Sequence, residues 1–272
     1  ELEADYEPAI KNVSLTLDEG VTVKVNLNIP EAWLTANAGA RVVFSNGTVL
    51  DAVAGLNEYI TKLTPAQIND DLTVKIVCGE TVVFEPVSVS VATYKSKAEA
   101  AGADGLKLSA DKYAALINLI ERALDYSNAA DGEGNNTSEF TKVEELGKPV
   151  QSKKLFTEIS GKLGTCASVR ILVDKNILES ETLLIKIGDS VIYEGEMASK
   201  VKTEESKDYI EIDQIYPANF DATISISVGT ESSTVATFEF TFNSYLKAVF
   251  NSSSNTQVKN FAAATYLYGL AA

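Results

Sequence analysis

LTPAQINDDLTVKI (residues 63–76) and IYPANFDATISISV (residues 215–228) decide the architecture of this chain, because the two stretches read alike. Pro65 falls on Pro217, Ala66 on Ala218 and Ile68 on Phe220, and the alternating Leu72, Val74 and Ile76 fall on Ile224, Ile226 and Val228. A proline turn followed by apolar residues at every second position predicts a half-buried strand entered through a fixed bend. The flanks agree. VVFSNGTVL (42–50) lines up with LIKIGDSVI (184–192), each a strand, a two-residue polar turn (Asn46-Gly47 or Gly188-Asp189) and a second strand. Asn-Gly is a strong hairpin signal, since both turn positions need positive φ. Downstream, Val87, Val89, Val91 and Tyr94 match Phe238, Phe240, Phe242 and Tyr245, and ALDYSNAA (123–130) matches TYLYGLAA (265–272). Four matches in one order, with offsets drifting only from 142 (184 against 42) to 152 (217 against 65), indicate an internal duplication.

Each copy reads as about seven short strands followed by two helices. Val23, Val25, Leu27 and Ile29 alternate with Lys24, Asn26 and Asn28, and Val169, Ile171 and Val173 repeat the pattern. Strands at this spacing, with turn residues between them, predict an antiparallel sandwich of immunoglobulin-like type. The period then changes. Tyr113, Leu116, Ile117, Ile120, Ala123, Leu124 and Ser127 share one face of a helix capped near Ser109, and Ser254 or Asn255 caps a second whose inner face includes Val258, Phe261, Ala262, Thr265 and Tyr268. Shorter helices near 94–102 and 243–250 precede these. The expected fold class is therefore mainly β with α: two tandem immunoglobulin-like modules, each followed by a helical hairpin. Copy 1 spans 1–130 and copy 2 spans 151–272. Between them, DGEGNNTSEFTKVEELGKPV (131–150) has the composition of a linker.

Composition narrows the chemistry. The 272 residues include 45% apolar and 22% charged side chains, as folded protein does, and 23 Lys plus Arg stand against 38 Asp plus Glu for a formal charge of -15. Such a surface repels phosphate backbones and anionic lipid heads, so neither nucleic acid nor an acidic membrane is an expected partner. No run approaches the roughly 18 apolar residues of a membrane span, so no insertion is expected. The sequence contains no His, which removes Ser-His-Asp and Cys-His catalysis and His-ligated zinc. No G-x-G-x-x-G, P-loop or G-x-S-x-G motif occurs. The expectation is a protein that is not an enzyme. The opening ELEADYEPAI has neither an initiator Met nor a signal peptide, as a processed form or an excised fragment would. Cys78 and Cys166 are too few for a disulfide scaffold and read as small buried hydrophobes.

TYLYGLAA, with Tyr268, Gly269, Ala271 and Ala272, resembles the terminal-helix signature L-x-x-A-x-x-x-Y-G-x-A-A. That signature belongs to β-rich modules of extracellular multi-modular surface proteins of gut and rumen Firmicutes. ALDYSNAA keeps Tyr126, Ala129 and Ala130 but has Ser127 in place of the Gly. The resemblance covers both copies. It implies a secreted or wall-associated protein whose modules act in adhesion or assembly, and it brings no catalytic residues.

Three candidate sites emerge. Trp33, the one Trp, lies in the stretch IPEAWLTANAGA, where it could stack on a sugar or fold back to cap its own sandwich. Asp131, Glu133 and Asn135 alternate oxygen side chains with Gly as calcium loops do, although Lys142 stands where an EF-hand needs Glu. Asp70-Asp71, Glu144-Glu145 and Glu204-Glu205 are adjacent carboxylates, but neighbours on a strand point to opposite faces and do not form a glycosidase pair. Two functions follow as expectations. The first is a non-catalytic extracellular cell-surface protein that self-associates into a surface array or filament through sheet edges. The second is a carbohydrate-binding or adhesin module using Trp33. No cofactor is expected, calcium apart.

Overall fold

The computed structural model describes residues 7–17, 20–140, 144–174, 181–230 and 233–272, apart from the side chains of residues 85 and 86. The chain divides into two compact units, Glu1–Asp131 and Gly132–Ala272. It is mainly β with α, and among the described residues the strands form four antiparallel sheets, two in each unit.

In the first unit, β1 (Ala9–Thr16), β2 (Thr22–Ile29) and β5 (Gly55–Lys62) form one sheet in the order β1-β2-β5. β3 (Arg41–Phe44), β4 (Val49–Asp51), β6 (Leu72–Cys78) and β7 (Thr81–Val89) form the other, in the order β4-β3-β6-β7. Alternation decides which faces meet. Val23, Val25, Leu27 and Ile29 of β2, Val42 and Phe44 of β3, and Leu72, Val74 and Ile76 of β6 are all buried. Each such side chain contributes about 1.5–3 kcal/mol on burial. α2 (Val91–Gly105) and α3 (Ala110–Ala130) follow β7. Ser109 caps α3, its hydroxyl accepting from Lys112 N at 3.3 Å. Further along α3, the buried Ser127 accepts from Asn69 N at 3.2 Å, which ties the helix to the chain just beyond the Pro65–Gln67 turn.

Two connections explain the strand order. The β3–β4 hairpin is one residue longer than Asn46-Gly47 alone suggests. Gly47 N donates to Phe44 O at 3.0 Å and Phe44 N to Thr48 O at 2.9 Å. Gly47 has φ +92°, whereas Asn46 is not among the positive-φ residues. This is a three-residue loop closed by a left-handed Gly. The Asn46 amide is occupied elsewhere: it donates to Thr61 Oγ1 at 2.7 Å and Lys62 O at 3.2 Å, pinning the hairpin to the opposite sheet. From β4 the chain reaches β5 in three residues. Tyr59 Oη accepts from Val53 N at 2.9 Å, Asn57 Nδ2 donates to Val53 O at 3.1 Å and Ala54 O at 2.9 Å, and Gly55 (φ +85°) makes the corner.

In the second unit, β9 (Phe156–Leu163), β10 (Ala167–Val173), β13 (Val201–Glu204) and β14 (Lys207–Ile215) lie in the order β13-β14-β10-β9. β8 (Val150–Gln151), β11 (Thr182–Ile187), β12 (Ser190–Glu196), β15 (Thr223–Thr230) and β16 (Ser233–Thr241) lie in the order β12-β11-β15-β16-β8. Val169, Ile171, Ile210 and Ile212 from the first sheet share one core with Leu183, Ile185, Ile224, Ile226 and Phe240 from the second, which makes the unit a β-sandwich. A single turn, α4 (Met197–Lys200), joins β12 to β13, and α5 (Phe242–Ser252) and α6 (Thr256–Ala271) add Phe242, Leu246, Ala263 and Leu267 to that core. Asn255 caps α6, accepting from Gln257 N at 2.8 Å and Val258 N at 3.3 Å.

Residues 131–150 have the composition of a linker, yet part of the stretch is built into this unit. Asn260 Oδ1 on α6 accepts from Asn136 N at 2.7 Å and Asn136 Nδ2 at 3.1 Å, while Asn260 Nδ2 donates to Glu133 O at 2.8 Å. Phe140 stacks on Phe250 at 4.5 Å and meets the Tyr266 ring edge-on at 5.0 Å. Composition marks these residues as polar. It does not reveal that the asparagines satisfy one another out of water.

Candidate functional site

Trp33 lies on α1 (Glu31–Ala36), a short helix between β2 and β3. Pro30 fixes the entry, Leu34 N donates to Pro30 O at 3.0 Å, and the Asn37 amide closes the far end on Trp33 O at 2.9 Å. The helix turns the indole inward, leaving it 5% exposed. A sugar-stacking platform needs an open ring face, and in this structure the Trp33 ring is packed into its own unit.

Of the alternating oxygens at 131–135, that of Asn135 is engaged locally. Asp131 N donates to Ser127 O at 3.2 Å at the end of α3, and Asn135 Oδ1 accepts from Thr137 N at 3.3 Å and Thr137 Oγ1 at 2.8 Å. Among the described residues no group of three or more His, Cys, Asp or Glu side chains is placed to hold a metal ion. Lys142 lies outside the described residues. Both cysteines are free, and Tyr126 and Tyr268 are buried on their helices.

One charged cluster stands out, on the outer face of β13-β14-β10. Arg170 Nη1 lies 2.7 Å from Glu204 and Arg170 Nε 3.2 Å from Glu211, while Lys202 Nζ lies 2.7 Å from the other Glu211 oxygen. The guanidinium also sits 4.5 Å above the Tyr209 ring. The Lys202 hydrogen bond, with Arg170 adding to it, holds the Glu211 carboxyl below its ordinary value despite the opposing effect of burial. A carboxylate held ionised in this way suits a strand fastener and not a proton donor. The cluster ties β13 onto β14 and β10. Sequence reading registered Glu204 only as half of an acidic pair, because its partners come from two other strands.

The first unit differs at the same place. β5 stands beside β2 as β14 stands beside β10, and each strand runs into a proline turn, at Pro65 and Pro217. Ile60 pairs with Lys24 where Glu211 pairs with Arg170. The outer side of β14 carries β13, whereas among the described residues the outer side of β5 carries no strand. On the outer face of β5, Leu56 and Ile60 are exposed at 63% and 41%; Val49 is exposed on the outer face of the other sheet and Val53 in the connection between β4 and β5. An edge strand with exposed apolar side chains is a feature of the kind that marks interaction surfaces.

An apolar cavity of about 80 Å³ in the first unit is lined by Val13, Leu15, Val89 and Tyr94, and one of about 350 Å³ in the second by Leu163, Tyr245, Leu246 and Phe261. Burial raises the Tyr245 hydroxyl pKa above its ordinary value, against a hydrogen bond with the Gly161 backbone. Among the described residues no helix is long and apolar enough to cross a membrane.

No family model matches the chain, and no curated protein matches it. Among solved structures, the human OSCAR ligand-binding domain aligns over 86% of this chain and 94% of its own, at 11% identity and a TM-score of 0.21. At that score the overlap carries no argument, and the fold rests on its own strand order.

Proposed function

We propose that this chain is a non-catalytic, extracellular cell-surface protein that works by self-association, built from two immunoglobulin-like modules that each end in a helical pair. Strand order supports the module reading. Lettered in chain order, β1-β2-β5 and β4-β3-β6-β7 correspond to A-B-E and C′-C-F-G. In the second unit β13-β14-β10-β9 corresponds to D-E-B-A, and the sheet β12-β11-β15-β16-β8 holds C′-C-F-G with one added strand. The first sheet of that unit matches the ABED sheet of immunoglobulin domains. Contacts between α2 and α3, including Lys95 Nζ 2.9 Å from Glu121, and between α5 and α6 support the helical pairs. The absence of His and the net charge of -15 favour a structural role over catalysis and suit an exposed, soluble surface.

The observation that carries the reading is the outer edge of β5, along which no strand lies among the described residues and where Leu56 and Ile60 are exposed. Light scattering on a sizing column across a concentration series, with and without millimolar calcium, followed by negative-stain imaging, tests it. Species that grow with concentration are expected. A strictly monomeric, concentration-independent chain refutes it. The glycan-binding alternative finds no support at Trp33, whose ring is buried.

A further inference from the structure

β1 stands at the other end of the sheet β1-β2-β5, and the ladder shows which of its groups face outward. Leu63 N donates to Val21 O at 2.8 Å, so odd-numbered residues of β2 turn their N–H and C=O groups toward β5 and even-numbered ones turn theirs toward β1. Asn12, Ser14 and Thr16 meet those groups, opposite Asn26, Lys24 and Thr22, so Val13 and Leu15 direct their own away from the sheet. Among the described residues neither has a hydrogen-bond partner on that side. The second unit closes the same place. Gly161 pairs with Val169 as Leu15 pairs with Val23, and the Tyr245 ring lies so close that a Cβ on Gly161 would stand 2.6 Å from its Cε1. The Tyr245 hydroxyl also hydrogen-bonds the Gly161 backbone, which occupies a group of the edge strand β9. Tyr94 holds the matching position on α2, but Leu15 brings the Cβ that Gly161 lacks, and among the described residues no hydrogen bond joins the two. What remains beside β1 is the apolar cavity of about 80 Å³ walled by Val13, Leu15, Val89 and Tyr94. Lys97 lines its rim, exposed and, among the described residues, without a carboxylate partner.

We propose that β1 accepts an extended segment of another protein, which lies along its open edge as an added strand, seats one aliphatic side chain in the cavity and sets a carboxylate on Lys97. Each part of that partner follows from a different observation. The outward N–H and C=O groups of Val13 and Leu15 repeat at strand spacing, and only extended backbone meets such a row. The cavity of about 80 Å³ is roughly half the ~150 Å³ that admits benzene, so it takes a Val, Leu or Ile side chain in preference to a ring. Lys97 lines the same cavity, so the carboxylate belongs on the same face of the partner strand, two residues from the aliphatic one. The net charge of -15 repels a strongly acidic partner, which limits the segment to one carboxylate among neutral residues. β1 lies on the opposite side of β2 from β5, so this site and the self-association reading stand or fall separately.

Titration of the isotope-labelled whole chain with the peptide acetyl-Thr-Val-Thr-Glu-Thr-amide, followed through backbone amide shifts, tests the proposal. Saturating shifts are expected at the Val13 and Leu15 amides. Val13→Pro removes one outward N–H and leaves the β1–β2 ladder intact, and Lys97→Glu changes an exposed helix position. Each should weaken binding about fivefold, with Trp33 emission as the check that the first unit stays folded. Lys in place of the peptide's Glu should recover binding to Lys97→Glu, and Ala in place of its Val should weaken binding to the wild type. No shift at Val13 and Leu15 with millimolar peptide, or shifts confined to other strands, overturns the site. Equal binding of the Lys and Ala peptides to the wild type overturns the partner's assigned chemistry. Shifts at Val13 and Leu15 that grow with protein concentration before peptide is added make the occupant a second copy, which overturns the proposal as well.

Discussion

Gly269→Ala should destabilise the second unit, although helix propensity alone predicts the reverse. Gly269 lies inside α6, where exchange for Ala would gain about 1 kcal/mol at an exposed site. Here an added Cβ would run into Cδ2 of Phe220 and lie 3.1 Å from its Cγ and 3.2 Å from its Cβ. Comfortable carbon contacts start near ~3.5 Å, so the ring has to move by about 1 Å. It has little freedom to do so, being 3% exposed and packed at a tilt against the Phe242 ring, 4.7 Å away. Overpacking of this kind costs about 2 kcal/mol, which leaves a net loss of about 1 kcal/mol and a fall in Tm of about 3–5 °C for a unit of this size. Differential scanning calorimetry reads the change. Trp33 fluorescence, which reports only on the first unit, should not move. The first unit holds Ser127 and Ile68 at the matching positions, both buried, which suggests the complement: Phe220→Ile should relieve the clash that Gly269→Ala creates. The two changes together should then be more stable than the sum of the single effects by about 1 kcal/mol. A higher Tm for Gly269→Ala, or strict additivity, would refute the reasoning.

Two further predictions follow from local geometry and charge. Glu205 and Ser206, which join β13 to β14, have φ of +50° and +63°, so replacing them with Asn and Gly should raise stability by about 1–2 kcal/mol in urea unfolding, and no change would mean the turn relaxes at no cost. Glu211 has a carboxyl held below its ordinary value of 4.5, so its contribution is complete above that pH and is lost as pH falls through the lower folded value; Glu211→Gln should flatten the acid limb of the stability curve, and an unchanged limb would show that the pair contributes nothing.

What the sequence disclosed depended on how local the cause was. The hairpins, the proline turns and the caps Ser109 and Asn255 are set by a few adjacent residues, and the alternation from Val23 to Ile29 sorts inner from outer faces by itself. Trp33 was ambiguous because the helix that turns it inward is six residues long and closed by Asn37, too short to show a period. The Asn46-Gly47 turn came out one residue longer because the Asn46 amide reaches Thr61, fifteen positions away. Phe140 has a polar neighbourhood in sequence and finds its aromatic partners only at Phe250 and Tyr266. The patch on β5 was the least legible. Among the described residues no strand lies along the outer side of β5, and Leu56 and Ile60 around Glu58 read in isolation like any strand with one apolar face.

The bonds joining Asn260 to Glu133 and Asn136 set an order of events during synthesis. A chain is made from its N-terminus onward, and domains generally complete in that order. The first unit has all of its elements once α3 has emerged. The second cannot finish in stages, because the segment that opens it waits for a helix at its far end. Until residues 250–267 are made, Phe140 has no ring to meet and the buried amide of Asn136 has no acceptor. The nascent second unit therefore spends its whole synthesis with that face uncovered, and α6 is the element whose arrival closes it.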